Sequence, residues 1–164
     1  MRALVVATFL MAGVGAILHP SPAGLAGASS TTSTSSGGTT AAMPADPVTP
    51  TSWAQALLAR VGDPVSAENV RAIVGWERAE GGHWANSARY NPLNTTQREP
   101  GSSSMNSVGV QAFTSWDQGL TATRTTLLNG RYGGILAALA AGSCATCVAS
   151  AVGASPWGTG WFPV

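Results

Sequence analysis

The tryptophans of this 164-residue chain are confined to its later part, because all six lie at or after position 53. Residues 29–50, by contrast, are mostly Ser, Thr, Gly, Ala and Pro and hold almost no large apolar side chain. Such a segment cannot bury enough surface to offset its chain entropy. We therefore predict a disordered linker over residues 29–50 and one folded domain over residues 51–164.

The N-terminus has the features of a secretory signal. Arg2 precedes an apolar run over residues 3–18, and Ala26-Gly27-Ala28 follows as a small-x-small cleavage pattern. We predict a signal peptide over residues 1–28 and hence a secreted protein, extracellular or at the cell wall. An uncleaved membrane anchor is the alternative, but the run is short for a full span. No stable membrane insertion is expected after cleavage.

Charge is sparse and balanced in this chain. It has eight Arg, no Lys and seven acidic residues, without a basic stretch. Nucleic-acid binding usually needs a clustered basic face, so no nucleic-acid partner is expected. A neutral, Trp-rich domain suits an uncharged polymer such as a sugar chain, and we expect a monomer.

Caps and apolar spacing predict most of the folded part to be helical. Ser66 is a good N-cap, Gly81-Gly82 stops the helix that it starts, and Ser115-Trp116-Asp117-Gln118 has the form of a capping box. The predicted helices run from Trp53 to Val61, from Ser66 to Glu80, from Ser115 to about Leu128, from Ile135 to Ala141, and from a Ser143 cap to about Val152.

Between the second and third helices lies a long region rich in Asn, Ser, Gly and Pro. Within it, residues 92–96 and 108–113 are predicted to pair as a short hairpin. The fold class is therefore mainly α (α+β), with four to six helices and a small β-hairpin.

Several kinds of chemistry are poorly supported by the residues present. After signal cleavage His83 is the remaining histidine, which argues against a His-based zinc site and a Ser-His-Asp triad. No Gly-rich phosphate loop occurs. We expect no metal and no cofactor.

Glu80 is the sharpest candidate for chemistry. A glycosidic oxygen must be protonated as it leaves, and a carboxylic acid can do this near neutral pH only if shielding raises its pKa. Trp76 and Ile73 can provide apolar walls, and the C-terminus of a helix disfavours a negative charge. The alternative is an exposed terminal glutamate paired to Arg78 or Arg89. Glu77, one turn earlier, competes for the role, but a surface or salt-bridged position fits it better.

The run AEGG, NPLNTT, SVGVQAF, GLTAT, NGRYGGI and ASPWGTG resembles a lysozyme-like family of actinobacterial secreted proteins and phage cell-wall-degrading modules. That family is similar in pattern to soluble lytic transglycosylases and goose-type lysozymes. The resemblance covers residues 76–160 and implies a catalytic Glu80, a Gly-x-x-Gln-like turn ending at Gln111, and a Tyr motif at Tyr132.

A second carboxylate is harder to assign. Paired-acid glycosidases need one, and the candidates are Glu99, Asp117 and Glu77. Asp117 fits a helix-start acid better. The resemblance implies that one Glu suffices, since in lytic transglycosylases the substrate's own acetamido and 6-hydroxyl groups do the rest.

Neutral polar and aromatic residues near Glu80 in sequence are candidates for sugar binding. Amide and hydroxyl groups suit sugar hydroxyls and N-acetyl groups, and aromatic rings can stack on pyranose faces. Each can instead be a turn, strand or core residue. The candidates are Asn91, Asn94, Thr95, Tyr90 and Trp84, with Gln111 and Tyr132 added by the resemblance.

Cys144 and Cys147 form a Cys-x-x-Cys pair. In an exported chain a disulfide is the first expectation, with free thiols or a redox pair as alternatives. No thioredoxin-like βαβ context surrounds the pair.

Two functions of different class remain open at this point. One is a glycosidase or lytic transglycosylase that cleaves peptidoglycan glycan strands with Glu80 as general acid. The other is a non-catalytic cell-wall glycan-binding module with a lysozyme-like fold.

Overall fold

The computed structural model describes residues 49–164, and the predicted signal peptide and nearly all of the predicted linker lie outside the described residues. The prediction of a mainly α fold with a small hairpin is confirmed. In chain order the elements are α1 (Pro50–Val61), α2 (Ala67–Glu80), β1 (Ser103–Ser104), β2 (Gln111–Ala112), α3 (Trp116–Leu127), α4 (Gly133–Ala141) and α5 (Ala145–Gly153).

The first two helices begin and end where their caps require. Thr49 and Ser52 form a reciprocal capping box around Pro50, and Gly62 closes α1 in the left-handed conformation at φ 93°. The Ser66 side chain accepts from the Asn69 N–H at the start of α2. α2 ends at Glu80, as predicted.

Two of the predicted caps differ in detail. The Ser115 side chain caps α3, but the Gln118 side chain accepts from the Thr114 N–H and hydroxyl rather than from the Ser115 N–H. The predicted Ser143 cap of α5 is wrong by one residue, since the Cys144 sulfur accepts from the Cys147 N–H there.

The sheet is a two-stranded antiparallel hairpin, but its predicted pairing is wrong. Ser103 pairs with Ala112 and Ser104 with Gln111, so residues 92–96 are not the partner strand. The observed hairpin closes over residues 105–110, whereas the predicted one would close over residues 97–107, and the shorter closed segment loses less chain entropy. Residues 92–96 still touch the hairpin, because the Gln111 N–H donates to the Thr95 carbonyl at 3.2 Å.

The helices enclose one core centred on α2. α2 packs against α1 and α5, α3 packs against α1, and α4 packs against α5. Trp53 and Trp76 are fully buried in this core. Among residues 49–164, none of the helices is both long and apolar enough to cross a membrane.

The predicted disulfide between Cys144 and Cys147 is confirmed, with the two sulfur atoms 2.02 Å apart. It closes the first turn of α5, where Cys144 is the N-cap. The Glu68 carboxylate of α2 accepts from the Ala145 N–H at 3.0 Å, so the same turn is also tied to α2.

The loop after α2 is held against α3 by a close backbone approach at Gly119. A Cβ at this position would overlap the carbonyl oxygen of Tyr90. Gly119 is therefore needed for packing, although glycine is a poor residue for the middle of a helix.

We expect Gly119→Ala to destabilise the domain by about 1–3 kcal/mol, because the methyl group forces the Tyr90 backbone away from α3. Chemical denaturation measures the effect. Gly134→Ala is the matched control, because a Cβ there meets no atom within 4 Å and alanine favours a helix. Equal stabilities of the two variants would contradict the close approach.

Candidate active site

Glu80 is the last residue of α2, where Gly81 turns the chain at φ 65°. Its side chain is partly buried and is held from two sides. Oε1 accepts a hydrogen bond from the Thr159 hydroxyl, and Oε2 lies 3.3 Å from the Asn94 side-chain nitrogen. The Asn94 nitrogen also donates to the Glu80 backbone carbonyl at 2.7 Å.

Thr159 is itself fixed by a residue of the core. The indole N–H of the buried Trp76 donates to the Thr159 hydroxyl oxygen at 2.9 Å. Trp76 also meets Trp157 edge to face, with ring centroids 4.7 Å apart. The segment that carries Trp157 and Thr159 is thus packed onto the helix that carries Glu80.

Burial raises the pKa of Glu80 above its ordinary value. Hydrogen bonds from Thr159 and then from Asn94 favour the ionised form and partly offset this rise. The nearby indole N–H groups of Trp76 and Trp157 act in the same direction, although their own hydrogen bonds go to Thr159 and to the Leu93 carbonyl. Burial has the larger effect, so the pKa of Glu80 is raised overall.

Two depressions in the surface meet at Asn94. One is a cleft of about 340 Å³, with walls that are mainly neutral polar and aromatic. The other, of about 180 Å³, lies between the loop after α2 and the turn of the hairpin. Lining the first cleft are Asn94, Thr95, Thr96, Val108, Thr126, Arg131, Tyr132, Pro156 and Trp157. Glu80 therefore lies beside a groove, joined to it through Asn94.

Three of the predicted sugar-binding residues line this groove. Asn94 bridges the groove and Glu80, while Thr95 and Tyr132 contribute to the larger cleft. Thr95 is 3% exposed, and its hydroxyl shares a hydrogen bond with the Thr126 hydroxyl at 2.7 Å.

Asn91 and Gln111 are placed differently. Asn91 is fully buried, and its side chain bonds to Thr95 N, Thr95 O and Gln111 O. The side chain of Gln111 is also buried, donating to the Gly109 carbonyl and accepting from the Ser102 hydroxyl. Both side chains cross-link the loop and the hairpin, so their polar groups are already used within the domain.

Trp84 and Tyr90 belong to an aromatic cluster around His83 and Trp116. Trp84 stacks on Trp116 with ring centroids 5.4 Å apart, and Tyr90 meets Trp116 edge to face at 5.0 Å. His83 Nδ1 accepts from the Tyr90 N–H at 2.8 Å, and burial lowers the pKa of His83. Neither ring lines the groove described above.

Glu77 is not the surface or salt-bridged residue that the sequence suggested. It is 1% exposed, and its Oε2 accepts from the Trp84 indole N–H at 2.6 Å. Its Oε1 is buried without a hydrogen-bond partner among the described residues. Burial raises the pKa of Glu77 to about 8, against smaller opposing effects of Trp84 and Arg78. The position of Glu77 on α2 places its side chain in the core. Its hydrogen-bond partner there is the Trp84 indole N–H rather than a charged group.

The other candidates for a second carboxylate are not linked to Glu80. Asp117 pairs with Arg60 of α1 at 2.6 Å, across the contact between α1 and α3. No acidic residue among residues 49–164 shares a hydrogen-bond partner with Glu80. Within the same residues, no cluster of three or more His, Cys, Asp or Glu could hold a metal ion.

Thr159 is a site residue that the sequence did not predict. It belongs to the ASPWGTG motif, in which Trp157 was a candidate for stacking on a sugar ring. Thr159 is 79 residues from Glu80 in sequence, so no local spacing could place it there. The only available signal was the quoted ASPWGTG motif itself.

Comparison of the chain with protein-family models, with curated proteins and with solved structures found no match.

The buried Glu77 predicts how stability depends on pH. Its native-state pKa of about 8 lies above the ordinary value of 4.5, so the native state binds the extra proton between these values. The free energy of unfolding should therefore fall as the pH rises from about 4.5 to about 8. Glu77→Gln removes this loss, because an amide does not ionise.

We expect Glu77→Gln to match the wild type near pH 4 and to exceed it at pH 8 by on the order of a few kcal/mol. Urea denaturation at several pH values measures this difference. Glu68→Gln is the control, since the Glu68 carboxylate is partly exposed and pairs with Arg71 at 2.7 Å. Parallel pH dependences of Glu77→Gln and the wild type would contradict the burial of an acid at position 77.

Proposed function

We propose that this protein cleaves the glycan strands of peptidoglycan, with Glu80 as the general acid. The observation that carries the proposal is the setting of Glu80: a carboxyl group whose pKa burial raises, linked through Asn94 to a cleft of about 340 Å³. We expect the protein to be exported to the cell wall, where its partner is the glycan strands of peptidoglycan.

The raised pKa of Glu80 suits the cleavage of a glycosidic bond. The bridging oxygen of a glycosidic bond leaves poorly as an alkoxide, so an acid must give it a proton as the bond to C1 breaks. An ordinary glutamate is ionised near neutral pH and has no proton to give. The raised pKa of Glu80 increases the fraction of molecules that carry this proton at any given pH.

The groove offers chemistry suited to amino sugars. Thr96 supplies an exposed neutral hydroxyl group, and Asn94 supplies an amide beside the acid. Trp157 and Tyr132 add aromatic surface, their ring centroids 5.2 Å apart. Neutral donors and acceptors pair with sugar hydroxyls and N-acetyl groups, while aromatic rings cover the apolar faces of pyranoses.

The chemistry is of the single-acid kind, because no other acidic residue among residues 49–164 shares a hydrogen-bond partner with Glu80. Glu77 is protonated and enclosed, so it offers neither a charge nor access. The Glu80 O–H bond breaks, its proton goes to the bridging oxygen, and the C1–O electron pair follows. The substrate's acetamido group supports the positive charge at C1. Water or the sugar's own 6-hydroxyl then attacks C1 and returns a proton to the Glu80 carboxylate.

Glu80→Gln should abolish the loss of turbidity of purified cell walls, lowering the rate by at least about a hundredfold, because an amide cannot donate the proton. The variant should keep the wild-type circular dichroism spectrum. Glu68→Gln, the same substitution at the other end of α2, should retain lysis.

The competing function is a wall-binding module without activity. This function is supported if neither the wild type nor Glu80→Gln lyses purified walls and both sediment equally with them. If both the wild type and Glu80→Gln lyse walls, the protein is an enzyme but Glu80 is not its general acid.

A further inference from the structure

The two oxygen atoms of the Glu80 carboxyl have different partners. Oε1 is engaged by the Thr159 hydroxyl, whereas Oε2 has only the long contact of 3.3 Å with the Asn94 amide. We propose that Thr159 is a positioning residue, which holds Oε1 as an acceptor and thereby assigns the transferable proton of Glu80 to Oε2. This inference rests on the proposed role of Glu80 as a general acid.

The hydrogens of this network can be placed by counting donors. An indole N–H only donates, so the Thr159 oxygen must accept from Trp76. The Thr159 hydroxyl hydrogen then needs an acceptor, and Glu80 Oε1 is the one that the described residues provide. If Oε1 carried the acid proton, the Thr159 hydrogen would have to bond to the hydroxyl oxygen of the acid, which is a poorer acceptor than the carbonyl oxygen, and the hydrogen bond would be weaker.

The proton on Oε2 is on the side of the substrate groove. Asn94, whose side chain is hydrogen-bonded to Oε2, lines both depressions. Because the Asn94 amide donates to Oε2 and does not accept from it, the Oε2 hydrogen stays available to a bridging oxygen in the groove.

The chain is shaped to bring Thr159 to this point. Gly158 and Gly160 flank it at φ 96° and 77°, conformations that other residues rarely adopt. A Cβ at either glycine would meet no atom within 4 Å, so the requirement is for backbone conformation rather than for space. Trp157 anchors the same segment, its indole N–H donating to the Leu93 carbonyl at 3.2 Å.

The hydrogen bond from Thr159 also matters after the proton has left. Oε1 then belongs to a carboxylate, and a hydrogen bond to a charged group is stronger than one to a neutral group. Thr159 therefore stabilises the product state of the proton transfer as well as fixing the orientation of the acid.

Carbon-detected NMR titration of the Glu80 carboxyl tests the inference without any need for activity, with the signal assigned by its loss in Glu80→Gln. Thr159→Val should raise the pKa of Glu80 further, because the ionised form loses its main hydrogen bond. Thr159→Ser keeps the hydroxyl and should retain the wild-type pKa. Asn94→Gly, which allows the left-handed backbone at this position, should raise the pKa less than Thr159→Val.

Two results of this titration would overturn the inference. One is an unchanged pKa in Thr159→Val; the other is a larger rise in Asn94→Gly, which would make Oε2 the held oxygen. Both can be read whether or not the protein lyses walls. Inert wild-type protein would remove the proposed function, while the hydrogen-bond assignment would still be decided by the titration.

Kinetics on cell walls give a second readout. Thr159→Val should lower kcat by roughly ten- to a hundredfold, leave KM nearly unchanged and move the alkaline limb of the pH profile to higher pH. Thr159→Ser should restore both kcat and the limb. A loss of kcat without a shifted limb, or without rescue by serine, would indicate a merely structural role and contradict the inference.

Discussion

The hydrogen bond from Thr159 to Glu80 joins two parts of the chain that are far apart in sequence, and the site depends on that junction. Trp76 donates to Thr159 from within the core, so the junction is fixed to the most buried part of the molecule. Since Trp157 comes with the same segment, the contact also sets one wall of the groove.

Two carboxyl groups on one helix illustrate how surroundings assign different roles to the same side chain. Glu77 and Glu80 are one turn apart on α2, and burial raises the pKa of both. Glu77 is enclosed beneath Trp84 and has no access to a substrate, so its neutral form contributes to packing. Glu80 is only partly buried and reaches the groove through Asn94. Glu80 therefore combines burial, which raises its pKa, with access to the groove. Glu77 shares the burial but lacks the access.

Much of the fold could be predicted from the sequence because it is encoded locally. Ser66 and Gly81 define both ends of α2 through hydrogen bonds and backbone conformations that act within a few residues. The hairpin partner was missed because alternation of residues does not tell which of two nearby segments pairs. Thr159 was missed for a related reason, since its contact with Glu80 spans most of the domain. Asn91 was predicted as a sugar ligand from its chemistry, yet its amide is used up in buried cross-links that only the assembled loop reveals.

The central claim is that a protonated Glu80 delivers its proton to a glycosidic oxygen lying in the adjacent groove. Mass spectrometry of the soluble fragments released from purified peptidoglycan tests this claim most directly, because it identifies the bond that was cut. The wild type should release fragments cleaved within the glycan strand, with a reducing or a 1,6-anhydro end, and the Glu80→Gln variant should release none. Intact glycan strands with cleaved peptides, or no released fragments at all, would contradict it.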